Sequence, residues 1–515
     1  MWKLLLPAAF AAAALAQTAD FVRDVQPVLT ARCLACHSGE GAQAGLKIHT
    51  RDELLAGGKS GPAIVPGKAD ASLLVERIEG RKGMRMPPSG PPLEPAEIDR
   101  IRQWIDQGAR FEGRATPVAG RVAPLAPRMP PVPAGAAANP IDRFIDSYLA
   151  QKKLPAPPLV SDALFARRVW LDLHGLPPPP EALAAFLASH DKDKRTRLID
   201  RLLAERKPYA EHWISFWNDL LRNDEGVIYH GERKSISTWL LGALEQNVPY
   251  DAMVRALLDP PAKTGPEGFL VGVTWRGVVS ASQVPPMQAA QNAAQVFLGI
   301  NLKCAACHDS FINRWKLRDT YGLAGLFSEE PLELARCDVK LGGHETARFL
   351  YSDFGVKFDD SAAARRKAAA DWFVHRENGR FSRTLVNRYW RQLFGRGIVE
   401  PPDDMDGPPW SEDLLDWLAS DFSAHGYDLR HLLRQITTSR AYQSEAVREV
   451  GESRDYVFRG PRLRRLSAEQ FSDTISAVTG DWRLHSPRTE NFATYSREWR
   501  LKSDPLSRAL GRPIR

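Results

Sequence analysis

The sequence predicts a mainly α protein, built as a small helical domain, a Pro-rich linker and two larger helical domains. Three observations predict it. Apolar residues recur at helical spacing in segment after segment, and residues 114–138 are crowded with proline and alanine. At 515 residues the chain also exceeds what one core usually holds, a soft prior of about three domains. Apolar residues at 43% and charged residues at 25% are ordinary for a globular chain and exclude a disordered one. The net charge of +7 is spread over 69 basic and 62 acidic side chains with no dense basic run, which favours an acidic partner surface mildly and excludes nucleic acid.

The elements follow in order. Met1-Trp2-Lys3, an apolar stretch from Leu4 to Ala13 and the small-residue site Ala14-Leu15-Ala16 read as a signal peptide over residues 1–16. That stretch is shorter than the roughly 20 residues a membrane span requires, and no later apolar run is that long. The expectation is a periplasmic or extracytoplasmic protein with no transmembrane span.

Residues 20–113 form the first domain. Val25, Val28 and Leu29 lead helically into Cys33, and Glu94-Pro95-Ala96-Glu97 starts a closing helix with Ile98, Ile101, Trp104 and Ile105 on one face and Gly108 as its stop. Residues 114–138 form an extended, semi-rigid linker.

Residues 139–328 form the second domain. Ile141, Phe144, Ile145, Tyr148 and Leu149 make one helix, and another lies between Ser161 and Gly175. Trp213, Phe216, Trp217, Leu220 and Leu221 make a core stripe, and a helix from Met287 to Leu298 ends at Gly299 and delivers the chain to Cys304.

After a connector, residues 329–379, the third domain covers residues 380–515. A strong amphipathic helix carries Leu385, Val386, Tyr389, Trp390, Leu393 and Phe394, a second carries Leu414, Leu415, Leu418 and Phe422, and Asp428 caps a third. Asp403, Asp404 and Asp406 read as a solvated acidic turn, and His425 and His431, near helix ends, as structural.

Five cysteines occur, and four of them make two Cys-x-x-Cys-His units, Cys33-Leu34-Ala35-Cys36-His37 and Cys304-Ala305-Ala306-Cys307-His308. Chance would place one such unit in a chain of this composition on the order of once in a thousand. Two thiols three positions apart share one side of a helical turn, where they reach the two vinyl groups of one porphyrin, and the adjacent histidine gives iron its proximal nitrogen. A thioredoxin-like pair requires a βαβ setting absent here, and a zinc ribbon requires pairs about 15 to 20 residues apart rather than hundreds. The units therefore read as two covalent c-type haem sites, with Cys33, Cys36, Cys304 and Cys307 as attachment points and His37 and His308 as iron ligands. Cys337 is left over and reads as a buried free thiol.

The sixth ligands are less determined. Met84-Arg85-Met86-Pro87-Pro88 places a thioether before a proline that pushes it into an extended loop, so Met86 is the candidate for the first iron, with Met84 and His49 as alternatives. For the second iron His212, flanking the Trp213 stripe, is the candidate, with Met287, His230 and His344 as rivals and an open sixth position as a further alternative.

These residues resemble a known family. Val25-Gln26-Pro27, Cys33-x-x-Cys36-His37, the run from Gly57 to Pro62, Val65-Pro66-Gly67 and Met86-Pro87-Pro88 are similar to a planctomycete-type cytochrome c domain. Leu171-Asp172-Leu173-His174-Gly175-Leu176-Pro177, Glu211-His212-Trp213 and the second cysteine unit resemble the helical domain of unknown function that follows it. Val386-Asn387-Arg388, Phe394-Gly395-Arg396-Gly397 and the segment from Ala424 to Asp428 resemble the C-terminal partner domain. The resemblance implies an extracytoplasmic multihaem protein, supports Met86 and raises His212. Two departures stand out: Asp309-Ser310 occupies a place where many relatives carry a second histidine, and the chain stops at Arg515 where relatives continue, which implies a shortened third domain.

The leading expectation is an exported dihaem cytochrome transferring electrons to a redox partner protein. The alternatives are a haem-dependent oxidoreductase, such as a peroxidase or dehydrogenase subunit, working at the second haem, and a scaffold associated with the cell surface or a polysaccharide.

Overall fold

The computed structural model describes residues 19, 21–33, 36–37, 42–48, 51–88, 92–109, 124–223, 235–261, 264–271, 280–310, 313–448, 456–482, 497–500 and 505–512. The signal peptide, His49, His230 and the first part of the linker lie outside these residues. The chain divides into two compact units, residues 1–120 with 311–314, and residues 121–310 with 315–515. Among the described residues it is mainly helical, with a single two-stranded sheet.

The first unit contains α1 (Gln26–Arg32), α2 (Arg51–Ala56), α3 (Leu73–Ile78) and α4 (Pro95–Asp106). The stop and start signals worked as expected. Proline occupies the first position of α4, where its missing N–H costs nothing, and Glu94 and Glu97 form a reciprocal capping box. Ile101, Trp104 and Ile105 are buried with Val25, Val28 and Leu29, and Phe21 packs on Trp104 at a ring separation of 5.1 Å. This small core holds the first cysteine unit at the end of α1.

The second unit begins its helices with α5 (Pro140–Gln151), α6 (Asp162–His174), α7 (Pro180–Ala188), α8 (Lys194–Ala204) and α9 (Arg206–Leu220). It continues through α10 (Ser237–Glu245), α11 (Tyr250–Leu258), α12 (Gly268–Val271), α13 (Pro285–Leu298) and α14 (Leu317–Gly325). The strands β1 (Glu333–Arg336) and β2 (Val339–His344) form an antiparallel hairpin. Then come α15 (Ala362–Phe373), α16 (Gly379–Phe394), α17 (Glu412–Ala424), α18 (Leu429–Thr437), α19 (Arg440–Gln443), α20 (Ala468–Thr479) and α21 (Pro505–Ala509). Ser161, Asp428 and Ser467 cap α6, α18 and α20 through their side-chain oxygens.

The two large helical domains expected from sequence share one core. A continuous apolar cluster runs from Ile141 to Phe458, with no break in packing across the expected connector. Helix α16 explains this: rather than presenting one amphipathic face, it is buried on nearly every side. Its polar positions are buried in ion pairs. Arg380 bonds Asp406 at 2.6 Å, Arg383 bonds Asp416 at 2.5 Å and Arg388 bonds Asp403 at 2.8 Å. The acidic stretch is thus an anchor for α16 rather than a solvated turn. Burial pushes Asp403 up, but Arg388 outweighs it and holds the carboxyl below its usual range.

The described part of the linker is also tied down. The Arg383 guanidinium donates to the carbonyls of Pro124 and Ala126, Leu125 accepts from the Gly379 amide, and Arg128 pairs with Asp413 and Asp416. Proline lacks an N–H but keeps its carbonyl, so a Pro-rich strand serves well as a row of acceptors. Among the described residues no helix is long and apolar enough to cross a membrane.

Candidate functional site

The first cysteine unit continues α1. The Cys33 amide donates to Leu29 at 2.9 Å, and the Cys36 and His37 amides both donate to the Cys33 carbonyl, at 3.2 and 3.1 Å. One helical turn therefore sets both sulfurs and the imidazole from a common carbonyl. Burial, reinforced by Cys36, pushes the Cys33 thiol up to about 11, so it stays protonated at neutral pH.

Cys33 and His37 line a cavity of about 760 Å³, counting space open to solvent. Its other walls include Leu46, Ile48, Ile78 and Met86, with Lys59, Ser60 and Arg77 as polar members. Met86 is held there by its amide, which donates to the Arg77 carbonyl at 2.9 Å, whereas Met84 is 66% exposed. The structure thus brings together His37 and Cys33 from one stretch of sequence and Met86 from another. The loop from Gly57 to Gly61 is built by glycine: a side chain on Gly57, at φ +70°, would lie 1.9 Å from the Gly61 carbonyl oxygen.

These residues fit a haem on the structure's own terms. The cavity is lined chiefly by apolar groups, it has a histidine and a thioether in its wall, and both cysteines are free thiols. His37 Nδ1 is buried and has no hydrogen-bond partner among the described residues.

The second unit repeats the first in backbone geometry. Helix α13 ends at Gly299 in the left-handed region, and the Cys307 and His308 amides both donate to the Cys304 carbonyl at 3.1 Å. His308 Nδ1 lies 2.8 Å from the Asp309 carbonyl oxygen. A carbonyl only accepts, so Nδ1 carries the proton and Nε2 keeps its lone pair for a metal. The Gly299 turn is packed so closely that a Cβ would stand 2.3 Å from Met405 Cγ, and the Arg380 guanidinium donates to the Leu298 and Gly299 carbonyls.

Cys337 is not buried. It is exposed at the tip of the β1–β2 hairpin, where Cys337 and Asp338 both have positive φ, as a two-residue hairpin turn requires. Its amide donates to the Cys307 carbonyl at 3.0 Å, which brings it to the second unit. Nothing in the sequence signalled this, because the strand β2 is exposed along its whole length and carries no alternating pattern.

His212 lies elsewhere. It lines a cavity of about 1290 Å³, again counting open space, between α9, α13, α16 and α20, and Cys304, Cys307 and His308 are not in its wall. The ring is half-buried. Its Nδ1 faces Gly175, where a Cβ would lie only 2.5 Å away. Burial, then Arg497 and His174, lower His212 to about 3. Of its rivals, Met287 is buried in the core, His344 is exposed on β2 and His230 lies outside the described residues. The Trp213 stripe divides accordingly: Trp213, Trp217 and Leu221 are core, while Phe216 and Leu220 face the cavity.

Comparison with known proteins finds three family models along the chain. Residues 33–90 match the family model Planctomycete cytochrome C, residues 140–331 match Protein of unknown function (DUF1549), and residues 365–510 match Protein of unknown function (DUF1553). No curated protein and no solved structure matches the chain. A cytochrome c domain model is thus followed, in this order, by the two domain models of unknown function, the order in which the sequence resembles the planctomycete-type cytochrome c family.

Proposed function

We propose that the protein is an exported c-type cytochrome carrying two covalent haems and passing electrons to a redox partner. The observation that supports it most is the repeated turn: in both units one cysteine carbonyl accepts from the second cysteine and the histidine, so both present the same donor set. In this reading Cys33 and Cys36 hold one haem and Cys304 and Cys307 the other. Each thiol would be held to the group by addition across a vinyl double bond, sulfur to one carbon and hydrogen to its neighbour, which would keep the group from diffusing away. Bound haem supplies a one-electron iron couple.

The chain's own residues do the rest. His37 and His308 give the proximal nitrogens, and the Asp309 carbonyl orients the His308 ring. Met86, in the wall of the same cavity, would offer its thioether to the first haem, and such a ligand would raise the reduction potential. Lys59, Ser60 and Arg77, which line the same cavity, would offer cationic and hydroxyl groups to an anionic ligand there. His212 belongs to the separate cavity and is left out of the ligand set.

The test is a pyridine haemochrome assay with intact mass on protein matured in a c-type expression host. Two haems per chain are expected, falling to one in Cys33→Ala/Cys36→Ala and to one in Cys304→Ala/Cys307→Ala. A single haem in the parent protein, unaffected by the second pair of substitutions, overturns the dihaem reading.

A further inference from the structure

We propose that Asp421, His425 and His431 form a binding site for a divalent transition-metal ion of the zinc class, separate from either cysteine unit. One atom from each of these side chains lies within 4.8 Å of the others. The Asp421 carboxylate stands at the centre: Oδ2 is 2.8 Å from His431 Nε2, and Oδ1 is 3.3 Å from His425 Nδ1, a nitrogen that also donates to the Asp421 backbone carbonyl at 2.8 Å and must give up that bond to take an ion. The two imidazoles stack with centroids 3.8 Å apart and planes 15° apart. Ligands placed 2.0–2.1 Å from a tetrahedral ion stand about 3.3–3.4 Å from one another. The two carboxylate–imidazole pairs therefore need to open by about half an ångström at most to take an ion between them.

The electrostatics call for a cation at this place. Asp421 occupies the last turn of α17, where the helix dipole disfavours negative charge, and its side chain is only 10% exposed. Among the described residues its ion-pair partners are the two imidazoles, with no lysine or arginine. A divalent ion held here would set positive charge directly beside that carboxylate.

The fold positions the ligands firmly. His425 is the residue that ends α17, and Gly426 and Tyr427 turn the chain with positive φ. Asp428 then caps α18 by accepting from the amides of Arg430 and His431. Tyr427 anchors the corner against Phe422 and Phe381. With His425 half exposed, the fourth position opens to solvent, so water completes the coordination. Two histidines and a carboxylate suit zinc, copper or nickel over calcium or magnesium. An ion here would clamp α17 to α18, giving the outer corner of the third domain a metal-dependent lock.

Isothermal titration of the full haem-loaded chain with zinc ion tests this. One equivalent should bind at micromolar or tighter dissociation constant, and zinc should raise the thermal midpoint. His425→Ala, His431→Ala and the isosteric Asp421→Asn should each weaken binding at least about tenfold and abolish the thermal shift, while His344→Ala, an exposed histidine on β2, should change neither. His425→Ala removes a half-exposed side chain, and circular dichroism confirms its fold. No titratable equivalent in the parent chain, or equal affinity in parent and folded His425→Ala, overturns the site.

Discussion

Replacing Asp416 by asparagine should destabilise the second unit by about 3–5 kcal/mol, because it strands a buried guanidinium. Arg383 and Asp416 are 2% and 1% exposed and lie 2.5 Å apart. The same carboxylate also meets Arg128 at 2.6 Å, but Arg128 is 46% exposed, so solvent screens that pair to about 0–1 kcal/mol. Arg128→Ala should therefore cost about 1 kcal/mol or less, although it breaks an equally short contact. Replacing both buried partners, as Arg383→Met/Asp416→Leu, removes the stranded charge. It still leaves the Pro124 and Ala126 carbonyls without their donor, at about 1 kcal/mol each, so the double variant should lose about 2 kcal/mol and be more stable than Asp416→Asn. Urea unfolding followed by tryptophan emission reads this unit, since twelve of the fourteen tryptophans lie in it. A loss below about 1 kcal/mol for Asp416→Asn, or a double variant as weak as the single one, refutes the reasoning.

Three further outcomes are expected. Met86→Ala should convert the first haem from low to high spin and lower its potential, while Met84→Ala should leave the optical spectrum and potential unchanged; the reverse pattern would reassign the ligand. Because His212 is held to about 3 against an ordinary 6.5, it is neutral when folded and takes up a proton on unfolding below pH 6.5. Its contribution is thus complete above pH 6.5 and is lost as pH falls from there towards 3, by up to about 1.4 kcal/mol per pH unit. His212→Gln should flatten the pH dependence of the urea midpoint over that range, and identical slopes would contradict the assignment. Gly299→Ala, at φ +59° and with Met405 in the way, should cost more than about 1–2 kcal/mol and reduce haem at Cys304 and Cys307 ahead of Cys33 and Cys36; equal occupancy, read by peptide mass, would show that the turn does not position the second unit.

The sequence by itself determined what depends on local order. Two cysteines and a histidine within five positions need one helical turn and nothing more, so both units were legible, as were the caps at Ser161, Glu94 and Asp428 and the stop at Gly299. That Met86 rather than Met84 lines the first cavity agrees with the restriction Pro87 places on its backbone. Tertiary structure alone decided the rest. Whether a polar position on α16 faces water or a buried carboxylate depends on Asp403, Asp406 and Asp416, which lie 15 to 33 residues away, and helical periodicity is blind to that distance. His212 looked like a ligand beside an apolar stripe, but which cavity that stripe borders is set by α13, α16 and α20. Cys337 reached the second unit through a hairpin with no apolar signature, and His425 and His431 met at Asp421 because a four-residue corner folds two helices together. Spacing along the chain fixes which groups share a turn; only packing fixes which turns share a space.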